Sequence, residues 1–201
     1  INLDLRGHGG GLMDEAVKLL SLFLPRNTMV VSARGRIERF DVEYYTKEEP
    51  LDIKTPLVVL VNNGSASSSE IVAGAIQDLK RGLIVGERTF GKGLVQTILP
   101  LSYNANLKIT TAKYYIPSGR CVQSLDYANR NGDGTPERNE EGGIIPDIPV
   151  TAPKYSRITM ELVARDYIHE YSIHYYTQHK TIAPADSFSM SDRDYLDFIE
   201  I

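Results

Sequence analysis

Apolar and polar positions divide the chain into alternating strand-like and helix-like stretches. Residues 56–61 (PLVVLV) are an unbroken apolar run ending at Asn62-Asn63-Gly64, as expected of a strand covered on both faces in a mostly parallel sheet. Beyond it Ile71, Val72, Ala75, Ile76 and Leu79 recur at helical spacing. Ser67 with Glu70 three residues later fits an S-x-x-E capping box, so a helix is expected from about Ser67. Residues 83–85 form the next apolar run. At the start of the chain residues 1–5 alternate, a glycine-rich loop follows, and Leu12, Ala16, Leu19, Leu20 and Phe23 make a helical stripe that Pro25 ends.

Residues 28–45 read as two strands turned at Arg34-Gly35-Arg36, and 94–101 with 107–116 as two more around the polar turn 102–106. Residues 156–179 read as one long helix carrying Ile158, Leu162, Ile168 and Ile173, and 187–201 as a short second one. The expectation is an α/β core over 1–153, cut from a longer protein because it starts inside a strand without methionine, and a helical extension over 154–201. This tail either packs on the core or binds a neighbouring chain, so a homo-oligomer stays open.

Composition narrows the function classes. The chain is 42% hydrophobic and 24% charged, as ordinary globular proteins are, and its net charge of −4 recommends neither nucleic acid nor an anionic membrane as partner. No apolar run approaches the roughly 20 residues of a membrane span. Cys121 is the single cysteine and cannot form an internal disulfide.

Two places carry candidate chemistry. Ser67 would sit beside unpaired backbone N–H groups at the positive end of a helix, where an oxyanion could be held, although most serines there only cap. Lys92 lies between Gly91 and Gly93. Gly86 to Lys92 nearly meets the phosphate-loop spacing, but Gly93 stands where a metal-binding hydroxyl is needed and a strand rather than a helix follows. A serine hydroxyl becomes a nucleophile when a base takes its proton, and a lysine can be that base only when neutral, a form that burial favours. Phe90, Val95 and Ile98 are the expected apolar cover.

The strings LDLRGHGGGLMDEAV, VLVNNGSASSSEIVAGAIQDLKRGLIVGERTFGKGLVQT and YYIPSGR…GGIIPDI, in this order, resemble the catalytic core of the carboxyl-terminal processing (tail-specific) proteases of the S41 serine peptidase family over about residues 1–150. The resemblance implies a twisted sheet flanked by helices of the ClpP and crotonase kind, with a helical C-terminal tail. It implies Ser67 as nucleophile, Lys92 as base and Gln96 as a neutral partner that fixes the amine. It also implies backbone N–H groups of Gly10 or Gly11 and of Ser68 as the oxyanion hole, and Asp78 as a supporting carboxylate. Gly7-His8-Gly9 departs from the family's usual loop. The implied activity is that of a serine endopeptidase cleaving proteins near or from their C-termini via an acyl-enzyme, in the bacterial cell envelope or periplasm. Protein or peptide substrates are its partners, usually presented by a PDZ domain that is not in this chain.

Other readings compete. HGGG at residues 8–11 is an esterase oxyanion motif, but residues 64–68 lack G-x-S-x-G. His169, His174 and His179 recur every five residues, not the three or four that one helical face requires for a metal. Asn129, Asn131, Asp133, Gly134 and Glu140 approach calcium-loop spacing, yet the leading aspartate is missing and Pro136 intervenes, so a hydrophilic loop is expected. No metal or organic cofactor is implied. A catalytically silent S41-like binding module would have lost Ser67 or Lys92, and a crotonase-type acyl-CoA enzyme would use glutamates instead of this pair.

Overall fold

The computed structural model describes residues 1–151 and 155–200. Its elements are β1 (Asn2–Asp4), α1 (Met13–Ser21), β2 (Met29–Gly35), β3 (Val42–Tyr45), β4 (Val58–Val61), α2 (Ser68–Asp78), β5 (Leu83–Gly86), β6 (Leu94–Pro100), β7 (Asn106–Tyr115), β8 (Leu125–Arg130), β9 (Pro136–Arg138), β10 (Ile148–Pro149), α3 (Arg157–Ala164), α4 (Tyr167–Gln178) and α5 (Asp192–Ile199). They fall into two compact units, residues 1–152 and 153–201.

In the first unit β1, β4, β5 and β10 form a parallel sheet in that order. No residue of the apolar β4 is exposed, as its inner place between β1 and β5 requires. Strands β3, β2, β7 and β6 form a second, antiparallel sheet, and β8 pairs with β9 as a separate hairpin. The core is drawn from the parallel sheet (Val59, Val61, Ile84), α1 (Val17, Leu20), α2 (Ile71, Val72, Ala75, Ile76) and β2 (Val30, Val31). Residues 68 to 76 of α2 are all buried, so this helix is enclosed on every side rather than amphipathic. The calcium-like stretch is the β8–β9 hairpin, where Asp133 Oδ1 accepts the backbone N–H and the hydroxyl of Thr135.

Two expected elements differ. The strand after Arg36 is shortened to β3, because residues 38–40 wind into a 3₁₀ turn and the Asp41 carboxylate accepts the Gly35 N–H. The long helix of the second unit is two helices, α3 and α4. Asp166 between them takes a left-handed φ of 65°, which interrupts the helical hydrogen bonds although the apolar spacing runs across it. Within this unit Tyr171 is buried, its ring edge-on to Phe198 and its hydroxyl donating to the Asp194 carbonyl.

Candidate active site

The site is built where β4 ends and α2 begins. Ser67 is the N-cap of α2 and holds φ 57° and ψ −119°, a conformation that a side chain adopts only under constraint. A serine on such a strained strand-to-helix turn projects from the sheet, the geometry of a nucleophile elbow.

Hydroxyl accounting separates Ser67 from its neighbours. Ser65 Oγ donates to the Leu5 carbonyl (2.7 Å), Ser68 Oγ accepts the Gly11 N–H (2.6 Å), and Ser69 Oγ donates to the His8 carbonyl (3.0 Å). Ser67 alone of the four makes no hydroxyl bond outside its own turn among the described residues. His8 Nδ1 lies 2.6 Å from the same Ser69 oxygen, and among the described residues the ring makes no bond to Ser67. His8 is therefore a staple onto Ser69 and does not serve Ser67, which removes the esterase-like reading of HGGG.

The glycine loop follows β1. The side chain and backbone N–H of Arg6 hydrogen-bond Asp4 and hold its carboxyl at about 2, fixing the exit from the strand. The His8 carbonyl also accepts the Ala66 N–H at 3.1 Å, binding this loop to the serine turn. Gly10 has φ 97°, and a Cβ there would fall 2.7 Å from both the Ala66 carbonyl oxygen and Ser67 Cβ. Only glycine lets the two loops meet. Of the two glycines expected at an oxyanion hole, Gly11 spends its N–H on Ser68 Oγ, while the Gly10 N–H has no acceptor among the described residues. Gly10→Ala is expected to lower any reaction carried out by Ser67 about 100-fold by shifting the loop against it. Steady-state kinetics together with a thermal melt would check that the protein stays folded.

Lys92 arrives on the loop between β5 and β6. Gly91 takes φ 86° and has no room for a Cβ, which would overlap the Ser124 side chain at 2.3 Å. Glu70 ties this loop to the serine turn. Its fully buried carboxylate accepts the Ser67 N–H (2.8 Å), the Thr89 hydroxyl (2.5 Å), the Gly91 N–H (2.7 Å) and the Lys92 N–H (2.9 Å). The sequence marked Glu70 only as half of a capping box. Its further partners come from residues 19 to 22 positions away, beyond any local pattern.

Other expectations fare differently. The Lys92 side chain is exposed, not buried, and so are Phe90 and Ile98, which were expected to cover it. Gln96 is also exposed, beside a register shift in β6, and among the described residues neither its amide nor the Lys92 amine has a hydrogen-bonding partner. Asp78 is not brought to the site. It lies at the far end of α2, roughly 16 Å from Ser67 at 1.5 Å per residue, and accepts the Ser118 N–H at 2.8 Å. A cleft of about 330 Å³ adjoins the serine turn, lined by Leu5, Leu12, Ala16, Leu19 and Val72, with Gly11 and Ser68 in its wall. Among the described residues no group of three or more His, Cys, Asp or Glu could hold a metal ion.

The family model described as peptidase family S41 matches residues 2–150. This chain belongs to the S41 peptidase family. A second model, described as a probable PDZ-protease C-terminal helical domain, matches residues 158–201. Among S41 relatives, a carboxy-terminal-processing protease of Bartonella bacilliformis is 44% identical over 151 residues, covering 75% of this chain and 31% of the relative. A chloroplastic C-terminal processing peptidase of Tetradesmus obliquus is 47% identical over 123 residues, 61% of this chain and 26% of the relative. The solved photosystem II D1 C-terminal processing protease superposes with a TM-score of 0.61 at 37% identity, over 74% of this chain and 34% of that one. The chain thus spans between a quarter and a third of the length of these curated relatives.

Proposed function

We propose that this S41 chain carries the catalytic core of a serine endopeptidase that cuts protein substrates near or from their C-termini through an acyl-enzyme. Ser67 is the nucleophile and Lys92 the base. The observation that carries the reading is the strained Ser67 turn, whose hydroxyl makes no bond outside that turn among the described residues and which is joined through Glu70 to the backbone of Lys92. The names of the S41 relatives supply the C-terminal preference.

Lys92 takes the Ser67 proton as Oγ bonds to the scissile carbonyl carbon. The resulting oxyanion accepts from the N–H groups of Gly10 and Ser68. The protonated amine then gives its proton to the departing nitrogen as the C–N bond breaks, and an ester to Ser67 remains. Water attacks this ester, its proton passes to Lys92, and Oγ leaves with that proton. Because Lys92 is exposed in the free chain, the substrate strand itself supplies the desolvation that favours the neutral amine, and Gln96 orients that amine once it is covered. The apolar cleft takes the side chain on the acyl side of the cut bond. Relatives from bacteria and a chloroplast suit work outside the cytoplasm, in bacteria the cell envelope.

Incubating the full-length protein with an unstructured protein tail and sequencing the products tests the reading. It predicts cleavage near the substrate's C-terminus after apolar residues, and intact substrate would refute it. Ala16→Val, which narrows the cleft, should lower kcat/KM for leucine relative to alanine at the cleaved residue about tenfold. A peptide library with both residues reads that ratio directly.

A further inference from the structure

We propose that Glu70 is a positioning residue for this reaction, one carboxylate that sets the register between nucleophile and base; it rests on the assignment of Ser67 and Lys92 above. An N-cap needs a single bond from its glutamate, the one to the Ser67 N–H. Glu70 makes three more, all to the lysine loop. Its Oε2 is shared by the N–H groups of Ser67 and Lys92, so the two backbones are referred to the same atom. Oε1 takes the Thr89 hydroxyl and the Gly91 N–H. The Thr89 hydroxyl accepts the Ile144 N–H at 2.7 Å, which leaves its own proton for Glu70.

All of these partners are donors, and a carboxylate anion satisfies them whereas a carboxylic acid or an amide cannot. Burying that charge costs solvation, which its four donors offset; what sets this carboxylate apart from an ordinary cap is that those donors come from both the serine turn and the lysine loop. The need is specific to Lys92. Its amine has no partner of its own among the described residues, so the reach of the side chain toward Ser67 is set by where its backbone is held.

Glu70→Gln in the full-length protein is the test. Glutamine keeps the length and one acceptor but turns an N–H toward donors. Peptide cleavage should lose about 100-fold in kcat, as a misplacement of about 1 Å costs, while KM stays within about threefold. Affinity for a peptide boronate, which forms a tetrahedral adduct on the serine, should fall by the same factor. Binding of an uncleaved peptide, measured with Ser67→Ala added, should not. Glu70→Asp keeps the charge but is too short to reach both loops, and should show the same pattern if the glutamine variant does not fold. Unchanged kcat and boronate affinity, or an equal loss of ground-state peptide binding, would overturn the proposal. A wild-type protein that neither cleaves peptide nor binds the boronate would instead overturn the serine–lysine assignment beneath it.

Discussion

Ser67→Ala is expected to lower kcat/KM for peptide cleavage by on the order of 10⁵-fold or more, with folding preserved. Removing the nucleophile of a serine peptidase abolishes the covalent route and leaves only what the oxyanion donors and substrate binding provide. The loss should be confined to this serine. Ser65 and Ser69 spend their protons on the carbonyls of Leu5 and His8, and Ser68 Oγ holds the Gly11 N–H, so their alanine variants should act through loop geometry and stability. Each of those bonds is worth roughly 1 kcal/mol, to be read as a lower melting temperature. Kinetics and thermal melts on the four alanine variants distinguish one very large catalytic effect from three modest structural ones.

Lys92→Met is expected to cost about 10⁴-fold in kcat, the upper range for a lost general base, with KM and melting temperature nearly unchanged. The side chain is exposed and makes no hydrogen bond among the described residues, so its removal leaves nothing buried and unsatisfied. The backbone N–H that binds Glu70 is retained in the variant. Lys92→Arg should be equally inactive, because a guanidinium does not give up its proton in a protein. A parallel loss of stability in either variant would mean that Lys92 supports the fold instead.

Much of the core was legible because its signals are local. The apolar run of β4, the Ser67–Glu70 capping pattern and the glycines around Lys92 each constrain a few neighbouring residues, and together they placed the turn, the helix and the returning loop. The break at Asp166 was not legible, since the apolar spacing continues through a residue whose backbone alone turns left-handed. Asp78 was expected only through the resemblance; eleven positions along α2 separate it from Ser67, and its carboxylate accepts the Ser118 N–H. The expected burial of Lys92 failed because Phe90 and Ile98 lie beside it in sequence but face solvent. Glu70 did leave a trace. It is the single charged residue between positions 68 and 76, in a stretch otherwise small or apolar enough to be enclosed on all sides, and a charge there must find partners. Which partners it finds depends on a loop 19 to 22 residues away.

The most direct test of the serine–lysine assignment is to trap the acyl-enzyme in the full-length S41 protein with a slowly hydrolysed peptide ester or β-lactone, and to map the added mass by peptide sequencing. The assignment predicts a single adduct on Ser67, formed at least about 100-fold more slowly in Lys92→Met, as loss of base assistance requires. An adduct on another serine, or a labelling rate on Ser67 that does not change when Lys92 is replaced, would contradict it.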